Sequence, residues 1–272
     1  MKLKDKAALI TDGASKTGIA IAKRFKEEGA IVALVLGPEA SQEETGQWDL
    51  ILHMGADSKK DVDAAVSAVL EKYGRIDIVV HNNNEVIPES LEDCNDENFE
   101  SAMAVNAKSA FLYAQAAGAA MKQAGKGCLV FVSSIHDEKP SGAAFAYSIA
   151  KGAVKMLVKE LVLELGRYNV RANLLSVGPM EGHEKLFYSD ISPLYEHAKE
   201  KIANGQFVRA EEVANAALFF ASDDCPQATG CDLVLDGGFL YSYIIRKRPL
   251  QKPEDFMGDS MAMGKNGGGS AG

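Results

Sequence analysis

Short, almost wholly apolar runs alternate with longer helix-like segments from one end of the chain nearly to the other, and that alternation leaves few folds open. The runs cover residues 7–11, 31–36, 50–54, 76–81, 127–133, 170–176 and 233–235. They read as near-continuous apolar stretches rather than alternating ones, which marks strands of a parallel sheet covered on both faces. Helical patterns fall near 18–29, 59–73, 97–123, 145–167 and 210–222. This order implies one doubly wound α/β domain, a Rossmann-type parallel sheet of about seven strands with helices on both faces. The domain spans 1–245, with an excursion beyond the sheet edge at 178–208. Residues 246–272 begin Arg-Lys-Arg-Pro and finish Gly-Gly-Gly-Ser-Ala-Gly, and read as a tail, in part a linker.

A chain of 272 residues buries roughly 70–75% of the surface it exposes when unfolded, so it needs neither disulfides nor a structural metal. Its 38 acidic residues outnumber 29 basic ones, for a net charge of -9. That balance argues against nucleic acid or an anionic membrane as the main partner. The apolar stretch at the start ends at Asp12, and no run approaches the ~20 residues of a membrane span. Cys94, Cys128, Cys225 and Cys231 show no C-x-x-C spacing, which fits reduced core thiols in a cytoplasmic protein. His136 and His183 have no partner at metal-ligand spacing, so no metal site is expected.

The first strand runs into Asp12-Gly-Ala-Ser-Lys-Thr-Gly-Ile-Ala20, and a helix follows at once. Glycines let the backbone approach a pyrophosphate there, while the helix N-terminus offers free N–H groups and a positive dipole. In many dinucleotide folds an acidic residue after the second strand receives the ribose 2′-hydroxyl. Here that strand ends Val35-Leu36-Gly37, with no carboxylate to receive the hydroxyl or to repel a 2′-phosphate. Lys16, in the first loop, is the cation expected to pair with such a phosphate. The expected cofactor is NADP(H), with NAD(H) the alternative.

Tyr147-Ser-Ile-Ala-Lys151 opens a helix, and the i to i+4 spacing puts phenol and ammonium on one face. Bringing a phenol from pKa ~10 to near 7 takes ~4 kcal/mol. One cation at about 4 Å in an effective dielectric near 20 supplies a term of that order. Thirteen residues before Tyr147 the strand of residues 127–133 ends in Ser133-Ser134. That places a hydroxyl at the C-terminal edge of the sheet, where ligands bind in open α/β folds.

On these residues the chain resembles the short-chain dehydrogenase/reductase family, and within it the 3-oxoacyl-ACP reductases, over about residues 3–242. Ser134, Tyr147 and Lys151 match the family's triad in type and spacing, and Asn106, within Ala104-Val-Asn-Ala107, matches the asparagine that completes the tetrad. Arg171-Ala-Asn-Leu-Leu175, Glu211-Glu-Val-Ala214, Thr229-Gly230 and Asp236-Gly-Gly238 follow in the family's order. The resemblance implies that Tyr147 is the acid/base, that Lys151 lowers its pKa and holds the nicotinamide ribose, and that Ser134 orients the substrate oxygen. It also implies that Asn106 holds a water in a proton relay. Cofactor contacts are expected from Gly13, Ser15, Lys16, Gly18, Ile19, Asp57, Asn82, Tyr147, Lys151, Val177 and Gly178, and substrate contacts from Ser134, His136, Tyr147 and Met180.

Four segments depart from the family's pattern. The usual Thr-Gly opening of the first loop reads Thr11-Asp12, with later glycines at Gly13 and Gly18 and Ala20 ending the motif. Counted from residue 12, this spacing resembles that of bacterial enoyl-ACP reductases. The usual Asn-Asn-Ala-Gly reads His81-Asn-Asn-Asn84, the usual Pro-Gly reads Val177-Gly178, and the threonine that follows is Gly182. Two rival readings follow: an enoyl-thioester reductase, and a non-catalytic dinucleotide sensor or scaffold. The first resemblance demands a Tyr and Lys seven residues apart, yet residue 154 is Val and residue 144 is Ala.

After Ser134 the loop Ile135-His-Asp-Glu-Lys139 is charged, which would favour a polar or cationic substrate. Met180, Leu186, Phe187 and Tyr188 are candidates for an apolar lid. Residues 102–121 and 154–165 are apolar around more than one face, more than one sheet can cover. A homodimer or homotetramer is therefore expected, with Ala110, Ala114 and Met156 near an interface.

Overall fold

The structure, a computed structural model, describes residues 1–38, 48–183 and 198–242. Seven parallel strands form one sheet in the order β3-β2-β1-β4-β5-β6-β7. They are β1 Ala7–Ile10, β2 Ile31–Leu36, β3 Leu50–His53, β4 Ile78–His81, β5 Gly127–Ser134, β6 Val170–Val177 and β7 Asp232–Leu235. Chain direction across the sheet reverses between β1 and β4, so the turns after these two strands diverge and leave a crevice.

Among the described residues, seven α-helices accompany the sheet: α1 Lys16–Glu27, α2 Lys59–Tyr73, α3 Asp96–Ala102, α4 Ser109–Ala124, α5 Phe145–Leu165, α6 Ala198–Lys201 and α7 Ala210–Ala221. Alternate strand residues serve opposite cores, which explains the continuous apolar runs. Ala8, Ile10, Val32 and Leu34 pack under α1 and α7 with Ile21, Phe25, Val213 and Phe220. Leu9, Ala33, Val79 and Phe131 pack under α2, α4 and α5 with Val66, Tyr113, Met121 and Val158. Each such fully buried side chain contributes ~1.5–3 kcal/mol relative to exposure.

Two helices differ from the sequence pattern. The expected single helix at 97–123 is α3, a π-helical turn at Met103–Lys108 and then α4. The short α6, within the 178–208 excursion, carries no strong periodicity and was not anticipated. Leu186, Phe187, Tyr188 and the tail at 246–272 lie outside the described residues. No helix among those described is long and apolar enough to cross a membrane, and none of the four cysteines forms a disulfide.

Helix packing corrects the expected interface. Ala110 and Ala114 are fully buried inside this chain, in the core shared with α2. A Cβ on Gly118 would meet Leu165 Cδ1 at 3.2 Å, so that glycine serves the contact between α4 and the end of α5. The apolar content of α4 is thus largely spent within one chain. What remains outward is Phe111, 47% exposed, together with Phe99, Ile149 and Met156, the last 56% exposed.

Candidate active site

The β1–α1 turn is shaped by close backbone approach. A Cβ at Gly18 would collide with the Asp12 carbonyl oxygen, and one at Gly13 would stand 3.0 Å from Leu34 Cβ. Ser15 caps α1, its Oγ accepting from Gly18 N at 3.1 Å while donating to Asp12 O at 2.8 Å. The amides of Lys16 and Thr17, in the first turn, have no intrahelical acceptor and face the mouth of the turn. Asn82 ties this turn to β4: its N donates to Thr11 Oγ1 at 2.9 Å and its Nδ2 to Ser15 Oγ at 3.0 Å.

Tyr147 and Lys151 lie in the first turns of α5, whose entry is held by Ser141 Oγ, accepting from the amides of Ala143 and Ala144 at 3.1 and 2.9 Å. Both side chains are buried. Ser134 ends β5, beside the phenol, and caps the short 3-10 turn that follows by accepting from His136 N at 3.3 Å. Lys151 Nζ donates to the Asn83 carbonyl at 3.0 Å, and Tyr147 Oη donates to Asn84 Oδ1 at 2.9 Å. A cavity of about 200 Å³ is lined by Ser134, Tyr147, Asn82, Asn84, Gly178 and Met180, with Asp12, Ser15 and Thr17 at its other wall.

Beneath this cleft α5 is anchored by ion pairs. Lys155, one turn beyond Lys151, binds Asp232 at 2.7 Å and Asp137 at 3.1 Å. Ser176 donates to both carboxylates, at 2.6 and 2.8 Å. Asp137 and Lys155 are thus framework, and the Lys139 ammonium reaches the Leu240 carbonyl. The 135–139 loop therefore spends its charges on the protein itself.

Asn106 sits in the π-helical turn and is fully buried. Its Oδ1 accepts from Glu85 N at 3.2 Å and its Nδ2 donates to Glu85 O at 3.0 Å. It clamps the strand-end segment that presents the Asn83 carbonyl and the Asn84 side chain. The irregular turn is what aims it there, as π-bulges at functional sites commonly do.

Burial dominates the electrostatics. It pushes the Tyr147 phenol above its ordinary value, while the Ser134 hydroxyl works the other way. It brings Lys151 down to about 7, against the carboxylates of Asp12 and Asp137. The expected lowering of the phenol by Lys151 is therefore not the direction found in this chain by itself, because desolvation outweighs the Ser134 hydrogen bond. At neutral pH the phenol holds its proton, which is the donor state.

Several expected contacts fall elsewhere. Lys16 reaches toward Gly182, where a Cβ would stand 2.9 Å from its ammonium. It lies at the catalytic end, and the Leu36–Gly37 end of the groove is lined without it. Asp57 is exposed in the bend before α2 and faces a surface cavity beside Phe99 and Phe111; Met54 and Ala56, just before it, line the groove instead. His136 is buried, its Nδ1 bonded to Lys139 O at 2.8 Å and its ring edge-on to Tyr147, and it does not line the cleft. Ile19 lines neither cavity. Ser15, Asn82, Ser134, Val177, Gly178 and Met180 do line the crevice, while Gly13 and Gly18 shape the turn beside it without lining either cavity. His81, a hint of enoyl chemistry, is buried with Nε2 on Ser109 Oγ at 2.7 Å, and burial lowers its pKa to about 3.

Residues outside the expected contacts also line the cavities, and two of them, Asp12 and Asn84, stand out in the sequence only as departures from the family's pattern. Thr17, Pro179 and His183 add to the wall, but Asp12 and Asn84 do more: both line the catalytic cavity and also a second one of about 480 Å³. That second cavity contains Val35, Leu36, Gly37, Met54, Val105 and Tyr113. The Tyr113 hydroxyl is buried there without a hydrogen-bond partner. The two cavities are the two halves of one groove, with Asp12 and Asn84 between them. A dinucleotide fits this layout in its backbone turn, in its two end cavities and in the Lys151 ammonium. The Asp12 carboxyl stands against its anionic centre.

The comparisons with known proteins agree with the geometry. A family model described as enoyl-(acyl carrier protein) reductase matches residues 13–240. Tropinone reductase-like 1 of Erythroxylum coca is 33% identical over 254 residues, covering 88% of this chain and 91% of its own. D-threitol dehydrogenase of Mycolicibacterium smegmatis is 34% identical, over 88% and 94% of the two chains. NAD-dependent glycerol dehydrogenase of Listeria innocua is 31% identical, over 86% and 94%. A solved short-chain dehydrogenase/reductase from Serratia marcescens superposes with a TM-score of 0.78 at 26% identity, covering 88% of this chain and 99% of that one. By sheet order, glycine turn, site geometry and these matches, the chain belongs to the short-chain dehydrogenase/reductase family of oxidoreductases.

Proposed function

We propose that this chain is a nicotinamide-dependent carbonyl reductase or alcohol dehydrogenase with Tyr147 as its acid and base. The observation that carries this reading is the meeting of Tyr147 and Ser134 in one cleft at the strand ends, with the buried Lys151 ammonium 5.4 Å from the Tyr147 ring centroid. A bound NAD(P)(H) supplies or accepts the hydride. In the reductive direction Tyr147 Oη donates its proton to the substrate oxygen, and in the oxidative direction it takes that proton back. Ser134 orients the oxygen with its hydroxyl. Lys151, as a cation, stabilises the phenolate left behind. Asn106 keeps the segment bearing Asn83 and Asn84 at its working distance, and the cavity of about 200 Å³, walled in part by Met180, suits a small substrate.

Carbonyl chemistry is favoured over enoyl reduction because Val154 and Ala144 are core residues, so neither Tyr147 nor Lys151 has a partner at seven-residue spacing. NADP(H) is the preferred cofactor in this reading, since no carboxylate stands at Leu36 or Gly37. A homo-oligomer in the cytoplasm completes it. Turnover of a panel of small ketones, aldehydes and secondary alcohols with NADPH, NADH and their oxidised forms tests the function. Oxidation or reduction above the no-enzyme rate is the expected result. Dinucleotide binding with no turnover across the panel would favour the sensor or scaffold reading, which the Asp12 carboxyl supports.

A further inference from the structure

Asp12 occupies the point of the turn where its carbonyl and Gly18 come too close to admit a Cβ. Its φ is 48°, in the left-handed region that favours glycine. Its carbonyl accepts from Ser15 N at 3.1 Å and from Ser15 Oγ, so the residue is locked into the turn. Asp12 lines both halves of the groove, and any ligand spanning the two cavities must pass it. In a β–α turn of this kind the helix N-terminus receives the pyrophosphate. A carboxylate there opposes the charge that the helix dipole attracts.

We propose that Asp12 is a proton-linked gate on dinucleotide binding: the carboxylate opposes the pyrophosphate, and the groove takes up one proton at Asp12 as the ligand enters. The inference rests on the nicotinamide-dependent reading above. Burial already raises the Asp12 carboxyl to about 6, against the Ser15 hydrogen bond and the Lys151 charge. An arriving pyrophosphate raises it further, because a second anion disfavours the charged form. Affinity then falls by up to about tenfold per pH unit above pH 6, until the bound-state value is passed. The other groups facing this turn are Lys151 and Tyr147 from α5, Lys16 from α1, Glu85 from the segment after β4, Tyr113 from α4 and His183 from the segment after β6. Lys151 also titrates near neutrality, so wild type alone does not identify the proton.

The test is direct binding of NADH and NADPH, read by their fluorescence or by calorimetry, from pH 5.5 to 8.0. It uses the full chain as wild type, Asp12→Asn and Asp12→Gly. Asn tolerates the left-handed turn and keeps the shape of the side chain, while Gly removes both the charge and the strain. Wild type should lose affinity as pH rises. Both variants should lose one proton's worth of that slope and bind 10- to 100-fold tighter than wild type at pH 8.0. Calorimetry in buffers of different ionisation enthalpy should show proton uptake by wild type that the variants lack. Equal slopes in wild type and Asp12→Asn overturn the gate and leave the nicotinamide-dependent reading standing. No binding of either dinucleotide by either variant at any pH overturns both.

Discussion

The Tyr147 hydroxyl donates to the Asn84 side-chain oxygen at 2.9 Å, across 63 residues of sequence. Asn84 stands where the family pattern has glycine, and if Tyr147 is the acid proposed above, a substrate oxygen must displace this protein partner. A neutral hydrogen bond has a net worth of ~1 kcal/mol, or about fivefold. Asn84→Ala should therefore raise kcat/KM by about that factor in steady-state assays. An unchanged or lower kcat/KM would show that the contact does not compete with substrate.

Gly37 ends β2 with nothing within 4 Å of a Cβ placed on it. A carboxylate there has room and would repel a 2′-phosphate while offering an acceptor to a 2′-hydroxyl. Gly37→Asp should weaken NADP(H) by at least about tenfold and leave NAD(H) equal or tighter, measured by titration of both. Lys16→Ala should leave the preference unchanged, because its ammonium stands beside Gly182 at the other end of the groove. Wild type binding NAD(H) as tightly as NADP(H) would refute the preference.

Asp12 also sets a pH dependence of stability. Its folded pKa, about 6, lies above the ordinary 3.8. A raised carboxyl favours the folded state below the lower value, and that advantage is lost as pH rises through the higher one. Asp12→Asn should thus match wild type near pH 4 and be more stable above pH 6, by about 2–3 kcal/mol at most. Urea denaturation at pH 4, 5, 6 and 7 reads this directly. A constant difference across the series would contradict it.

The outward apolar residues give the assembly its test. Phe111 on α4 and Met156 on α5 are exposed in the single chain. Burying a pair of such side chains at each side of a two-fold contact is worth several kcal/mol. Light scattering should show a dimer or tetramer for wild type, and Phe111→Glu with Met156→Glu should shift it toward a particle of about half the mass or less. A wild-type monomer at micromolar concentration would defeat the expectation.

Much of this fold is legible because strands buried on both faces leave unbroken apolar runs. Ile31–Leu36 has the bounds its sequence suggests, and five of the other six strands both begin and end within a residue of theirs. The triad is legible because its members are close in sequence or fixed to a strand end. What failed depends on distance in space. Asn84 reaches Tyr147 only because the β4 and α5 ends converge, and no local spacing records that. Asp57 is expected as a cofactor contact with the family resemblance, but the bend after β3 places Met54 and Ala56 at the groove. Ala110 and Ala114 were assigned to a subunit contact because a count of apolar residues around α4 does not reveal that α2 and α5 already cover two of its sides. Lys16 extends toward a segment far away in sequence, which only the turn's geometry decides.

The central claim is that the Tyr147 hydroxyl moves the proton. Tyr147→Phe removes that oxygen and keeps the ring, whose edge packs against His136. Its melting temperature and its dinucleotide affinity should stay close to wild type, because the groove's other walls are untouched. The decisive measurement is kcat with saturating dinucleotide and the best substrate of the panel. The account predicts a fall of about 10²–10⁴-fold. Retention of more than roughly a tenth of the wild-type kcat would contradict it, since acid–base catalysis of that size would then reside elsewhere.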